Sequence, residues 1–230
     1  MNELTKGLGY IIKERIIPNA SIDSIVAKLK DLHPVRASSH NKVYAERDRI
    51  KTLPNIAVWW SQTVMDWPEV LEIEKIINPF IVKQMPNAKF YASDIVTIEA
   101  GSKWINPHVD TPHRFAQWNF NQNLLGIQCI ISLTDLDKDT GVTGIVPNSY
   151  DTDFEINMCY KGYYDQYFLK NMEQHSMPKG SVLFYNCRML HSSMPNPSQQ
   201  NRPALLLNYL DSSILEEVTK IDNVWTSNGK

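Results

Sequence analysis

Gly180-Ser181-Val182-Leu183-Phe184-Tyr185 and Pro203-Ala204-Leu205-Leu206-Leu207-Asn208-Tyr209-Leu210 are two short apolar runs, separated by a segment rich in Pro, Asn, Ser and Gln. Both runs read as strands. His191 begins or ends another short strand between them, and Arg202 opens the last run. An imidazole and a guanidinium therefore sit on neighbouring strands. Working upstream, Phe90–Ile98 is β-branched and aromatic, Leu124–Leu133 is a further strand and Val142–Val146 a short apolar one. Gly101-Ser102, Asp135–Gly141 and Pro147-Asn148-Ser149 turn the chain between them. Short strands divided by Gly, Pro and Asn turns predict an antiparallel barrel or jelly roll.

The flanks differ in texture. Residues 1–85 read as mostly helical. Ser21 is placed to cap a helix carrying Ile22, Ile25, Val26, Leu29 and Leu32. Pro68 fits the first turn of another, with Val70, Leu71, Ile73, Ile76, Ile77, Phe80 and Ile81 as its buried side. The expected organisation is one domain over 1–230. It has a helical support at 1–85, a β core at 86–212 and a C-terminal extension at 213–230. Within the core, the aromatic insertion 150–178 is either a lid or a flank that packs its rings on the sheet. Lys42–Lys51 reads as a charged, exposed stretch.

With 43% hydrophobic residues in 230, the chain has enough apolar surface for a real core. A net charge of -2 offers no basic face for nucleic acid or an anionic membrane. No apolar run approaches a membrane span of roughly 20 residues, and Met1–Lys6 lacks the apolar stretch of a secretory signal. Cys129, Cys159 and Cys187 are odd in number and scattered, so they form no disulfide framework and no C-x-x-C zinc site. A reducing, cytoplasmic setting is expected.

The chemistry is concentrated in His108-Val109-Asp110. Residues two apart on a strand face one way, so an imidazole and a carboxylate can reach one metal together. With 6 histidines and 25 acidic residues in 230, chance supplies about 0.65 such pairs, so the pair needs its context. That context is the strand before it, His191 after it, and Arg202 eleven residues beyond His191. Two imidazoles and one carboxylate make a facial triad, which leaves three adjacent positions open on Fe(II). Arg202, if turned inward, grips a carboxylate through two parallel hydrogen bonds.

These residues, with Leu133-Thr134-Asp135 and Gly141–Ser149 between them, resemble the phytanoyl-CoA dioxygenase family of Fe(II)- and 2-oxoglutarate-dependent oxygenases. The likeness covers roughly residues 90–210. One departure is visible: the family's Pro-Gly-Ser-His turn is here Pro147-Asn148-Ser149-Tyr150. The resemblance implies a double-stranded β-helix, a cupin-like jelly-roll barrel, behind an N-terminal helical layer. It implies that His108, Asp110 and His191 bind iron and carry the catalysis. Arg202, and with it Ser193, would hold the far carboxylate of 2-oxoglutarate. O2 would take the last metal position. The family's halogenases lack the carboxylate, so Asp110 points to hydroxylation, coupled to oxidative decarboxylation of 2-oxoglutarate to succinate and CO2.

Arg114, Gln117, Trp118, Asn119 and Gln128 cluster after the ligand pair and are candidate substrate contacts. His113 is expected at the surface or behind the ligands. The partner expected is a small-molecule substrate, with neither nucleic acid nor membrane; the oligomeric state is left open. Alternatives are the same chemistry on a protein side chain, or a cupin-like barrel that binds metal or ligand without turnover. An acyl-CoA is disfavoured, because the basic residues at 42–51 are mixed with Glu46 and Asp48.

Overall fold

The longest apolar run of the C-terminal half, Arg202–Asp211, forms strand β10 at the centre of the molecule. The structure, a computed structural model, describes residues 2–33, 35–36, 56–59, 64–103, 107–118, 123–155 and 162–227, with the backbone alone for 35–36, 56–59, 116 and 222–227. Lys42–Lys51, Trp60, Trp104, Asn119 and Cys159 lie outside the described residues.

On one side β10 pairs antiparallel with β4 (Ala88–Ile98) and on the other with β5 (Gly126–Ser132). The remaining strands of this sheet are β1 (Tyr10–Lys13), β2 (Val35–Arg36), β3 (Ile56–Trp59) and β8 (Val182–Asn186). Among the described residues the sheet has seven strands in the order β1-β8-β5-β10-β4-β3-β2. A smaller sheet of β7 (Glu173–Gln174), β6 (Thr143–Ile145) and β9 (His191–Ser193) faces it.

Both faces of the large sheet are covered, which is why β5 and β8 are buried throughout and read as unbroken apolar runs. Ile127, Cys129 and Ile131 of β5, with Phe184, Leu205, Leu207 and Ile95, pack against helices. Those helices are α2 (Asn19–Leu29) and α3 (Pro68–Gln84), which follow the one-turn α1 (Glu3–Lys6). The alternate residues Ile130, Leu183, Tyr185 and Ala204 face the small sheet, against Val142 and Ile145. The molecule is thus mainly β with flanking helices. Among the described residues no helix is long and apolar enough to cross a membrane.

Several expectations need correction. Residues 1–85 hold α2 and α3, but β1 adds an edge strand to the large sheet through Tyr10↔Tyr185 to Lys13↔Val182, and β3 pairs with β4. Ser21 lies inside α2, whose N-cap is Pro18. Its hydroxyl donates instead to Glu72 on α3 at 3.0 Å, while Ser24 and Lys28 both donate to Glu69. Pro68 does open α3, but Leu71 and Ile76 are solvent-facing at 39% and 37% exposed. The apolar stripe is therefore narrower than its composition suggested.

Within 150–178, β7 joins the small sheet, and α4 (Asp165–Asn171) follows Tyr164. Phe154, Tyr164, Phe168 and Met172 pack on Val146, Leu190 and Met194. A Cβ on Gly144 would meet Phe168, Met194 and Met172 at 3.0 to 3.2 Å, so these side chains press on the face of β6 turned away from the large sheet. The described part of the insertion thus packs its rings on the flank of the small sheet. The departure in the Pro-Asn-Ser-Tyr turn also has a local reason. Asn148 takes φ +58, a left-handed conformation that Asn tolerates after Gly. The Tyr150 hydroxyl then donates to the Gly7 carbonyl at 3.2 Å. A last helix, α5 (Leu215–Ser227), closes the chain.

Ile77 is wholly buried where α3 meets the large sheet. Ile77→Ala is expected to lower the unfolding free energy by about 2–5 kcal/mol, and Leu71→Ala by no more than about 0.5 kcal/mol. Urea unfolding of both variants against the parent measures this, and equal losses would contradict the stripe.

Candidate metal and anion site

β9 begins at His191 because the chain turns tightly after β8, through Cys187–Leu190, all buried. The His108 segment lies alongside it. His108 N donates to the His191 carbonyl at 2.9 Å and His191 N returns a bond to the His108 carbonyl at 3.0 Å. Asp110 N donates to the Cys187 carbonyl at 2.8 Å. Val109, 4% exposed, turns the other way, so His108 and Asp110 share a side as their spacing predicted.

One ligand atom from each of His108, Asp110 and His191 lies within 4.8 Å of the others. The imidazoles of His108 and His191 have centroids 4.3 Å apart. His191 Nδ1 lies 3.0 Å from the Met189 carbonyl. A carbonyl only accepts, so Nδ1 carries the proton and Nε2 presents its lone pair, 3.4 Å from Asp110 Oδ2. Two imidazole nitrogens and a carboxylate suit a divalent first-row metal such as Fe(II).

The sequence reading passed over Tyr185. Its hydroxyl donates to Asp110 Oδ2 at 2.6 Å and lies 3.1 Å from His191 Nε2. Burial first, and then the Asp110 carboxylate, push this phenol far above its ordinary range. It is a neutral hydrogen-bond donor. No sequence signal marked it: it ends an apolar run, and the tight turn before His191 destroys the parity that would relate the two.

A cavity of about 140 Å³ opens beside this cluster, close to the roughly 150 Å³ that holds one benzene. Its walls come from both sheets. Val96, Ile130, Ala204 and Leu206 give an apolar middle, and Thr143, Ser193 and Arg202 a polar end away from the metal cluster. Arg202 is 3% exposed, and its Nε has no hydrogen-bond partner among the described residues. No carboxylate among them pairs with it. Burial lowers its pKa to about 10, which still leaves a full positive charge at neutral pH. Thr143 and Ser193 are paired across β6 and β9. Thr143 was also missed, although a hydroxyl in an otherwise apolar strand was a usable signal.

Of the remaining candidates, Arg114, Gln117, Trp118 and Gln128 are not among the residues that line this cavity. Gln117 is exposed and donates to Glu217 of α5 at 2.7 Å. Trp118 packs with Phe115, Leu125, Leu210, Ile214 and Val218. The Arg114 guanidinium lies over the Phe115 ring. Gln128 is buried on the inward face of β5, beside Tyr185 in register, and accepts from Asn208 Nδ2 at 2.7 Å. His113 is not a surface residue but wholly buried, its Nδ1 2.7 Å from the Trp118 carbonyl.

The chain belongs to the phytanoyl-CoA dioxygenase (PhyH) family, whose model matches residues 7–204, and so to the 2-oxoglutarate-dependent non-haem iron oxygenases. No curated protein matches it in sequence. Among solved structures it is similar to SnoN, a non-heme α-ketoglutarate-dependent epimerase from nogalamycin biosynthesis, at 14% identity and TM-score 0.68, over 89% of this chain and 79% of that one. HygX from Streptomyces hygroscopicus, solved with nickel and 2-oxoglutarate bound, gives 10% identity and TM-score 0.68 over 89% and 84%. SnoK, a carbocyclase from nogalamycin biosynthesis, gives 17% identity and TM-score 0.65 over 91% and 83%. SnoN has also been solved with Fe3+, α-ketoglutarate and nogalamycin RO, and HygX with hygromycin B.

His113 provides a pH test of the packing behind the site. Its folded pKa is lowered to about 4, chiefly by burial, so the unfolded chain binds the proton first. Stability is then complete above the unfolded value of about 6.5 and falls as pH drops from there toward 4, by about 3 kcal/mol. His113→Asn is expected to flatten this part of the profile. Urea unfolding between pH 4 and 7 reads it, and an unchanged slope in the variant would contradict the assignment.

Proposed function

We propose that the protein is an Fe(II)- and 2-oxoglutarate-dependent dioxygenase that hydroxylates a small molecule. The observation that carries this is Arg202: a buried guanidinium without an ion-pair partner among the described residues, on the wall of the cavity whose other end is His108, Asp110 and His191. An isolated buried charge costs several kcal/mol, so a site that keeps one is built for an anion.

The cavity's polarity matches one ligand shape. A dicarboxylate with an apolar middle would put one end at the metal cluster. Its methylenes would lie along Ala204, Leu206, Ile130 and Val96, and its far carboxylate at Arg202. Ser193 and Thr143 would add hydroxyl donors there. His108 and His191 would hold Fe(II) as neutral imidazoles and Asp110 as a carboxylate. When bound, the iron with 2-oxoglutarate and O2 supplies an oxidation in which one oxygen atom enters a substrate C–H bond and the other enters succinate as CO2 leaves.

The two-sheet arrangement supports the double-stranded β-helix reading of residues 86–212. HygX and SnoN, with hygromycin B and a nogalamycin compound bound, support a small-molecule substrate. Two free, buried cysteines, Cys129 and Cys187, agree with a reducing, cytoplasmic setting.

Under anaerobic conditions, Fe(II) and 2-oxoglutarate are expected to give the visible metal-to-ligand charge-transfer band of the chelated cosubstrate, absent in Asp110→Ala. Arg202→Lys should raise the KM for 2-oxoglutarate at least tenfold, because an ammonium cannot reproduce the fork. Arg202→Met should abolish binding while leaving the free protein as stable as the parent or more so, by up to about 4 kcal/mol. A normal KM in Arg202→Lys, or an Arg202→Met variant that loses stability, would remove Arg202 from the anion site.

A further inference from the structure

Tyr185 is 1% exposed, and its ring packs among Ile130, Leu183 and Met189, with its centroid 4.8 Å from that of His191. A phenylalanine would fill this place equally well, so the hydroxyl is what needs a reason. A buried hydroxyl is costly unless it is bonded. This one has a single proton and two acceptors in reach, Asp110 Oδ2 at 2.6 Å and His191 Nε2 at 3.1 Å. A carboxylate is the stronger acceptor and the shorter contact agrees. The proton therefore goes to Asp110, and the His191 lone pair stays available.

The consequence falls on Asp110. Its backbone is fixed by the bond from its N–H to Cys187, and its Oδ2 is occupied by the phenol. Its Oδ1 receives no hydrogen bond from a described residue. A metal approaching Asp110 finds Oδ1 without a described donor, while Oδ2, 3.4 Å from His191 Nε2, is shared with the phenol.

We propose that Tyr185 is a positioning residue that clamps one oxygen of Asp110, so that the carboxylate meets the metal through the other oxygen alone. Without the clamp a carboxylate can chelate through both oxygens and take a position the cosubstrate or O2 requires. The proposal rests on the metal reading given above and adds to it a reason for the hydroxyl in an apolar strand.

Co(II) titration tests it without turnover. Tyr185→Phe keeps the ring and removes only the hydroxyl. It is expected to bind Co(II) alone at least as tightly as the parent, and 2-oxoglutarate at the Co(II)-loaded site at least about tenfold more weakly. Its d–d spectrum should also shift as the carboxylate changes its mode of binding. Thermal unfolding of the metal-free variant separates this from a loss of packing, and Tyr185→Leu carries the same expectation should the Phe variant not fold. Equal affinity for 2-oxoglutarate with superimposable cobalt spectra would overturn the proposal. So would an intense visible phenolate-to-iron(III) band in the oxidised parent protein that disappears in Tyr185→Phe, since Tyr185 would then be a ligand. Asp110→Ala is the control for the underlying reading. If it binds Co(II) as the parent does, the metal assignment fails, and Tyr185 falls with it.

Discussion

The reciprocal backbone pair between His108 and His191 is the constraint on which the site depends. Two backbone hydrogen bonds, 2.9 and 3.0 Å long, hold segments that are far apart in the chain side by side. The rigidity comes from what lies behind them. The Asp110 N–H is tied to Cys187, and the turn from Cys187 to Leu190 is buried, as is β8 before it. Side chains placed by such a lattice lose little further entropy when a metal binds. The His191 imidazole is oriented before the ligand arrives, since it donates from Nδ1 to the Met189 carbonyl.

The large sheet divides its labour by parity. On β5 and β10 the residues turned to α2 and α3 are Ile127, Cys129, Ile131, Leu205 and Leu207, an apolar layer. The residues turned inward are Gln128, Ile130, Arg202, Ala204, Leu206 and Asn208, where polar groups enter. Stability is concentrated on the first face, and on the second some is given up. A guanidinium, a phenol and an amide pair sit where hydrocarbon would pack more favourably. The helix layer, far from the chemistry, offsets that cost.

How much of this was legible follows from the kind of signal each part leaves. Strands β5, β6, β8 and β10 are readable because both faces are buried and turn residues bound them, and β4, only partly buried, because its residues are β-branched and aromatic. The His108, Asp110, His191 and Arg202 set was readable because charged and metal-binding types stand out in apolar surroundings. β1 was not: four residues, Tyr10–Lys13, that gain their partner only from β8, carry too little pattern of their own. Ser21 looked like a cap because its type favours caps, but a tertiary partner, Glu72, decided its role. Nearness in sequence to Asp110 makes Gln117 and Trp118 candidate pocket residues. The chain turns there toward α5, where Gln117 bonds to Glu217 and Trp118 packs on Ile214 and Val218. Tyr185 and Thr143 were hidden for the opposite reason, as polar atoms on side chains that also suit a strand.

The inward face also sets a length. Along β10 the order is Arg202, Ala204, Leu206 and Asn208, and their partners on β5 run Ser132, Ile130 and Gln128 from Ala204 onward. The metal cluster lies toward the Tyr185 and Gln128 end, since Tyr185 is in register with Gln128 and bonds to Asp110. The distance between the charged ends is therefore fixed by strand rise, about 3.3 Å per residue, and not by flexible loops. A diacid one methylene too short would leave Arg202 unpaired, and one too long would press on a wall backed by the helix layer. Each mismatch weighs against binding, and leaving a buried charge unpaired is the heavier of the two. A cavity walled by hydrogen-bonded strands thus selects a ligand by length.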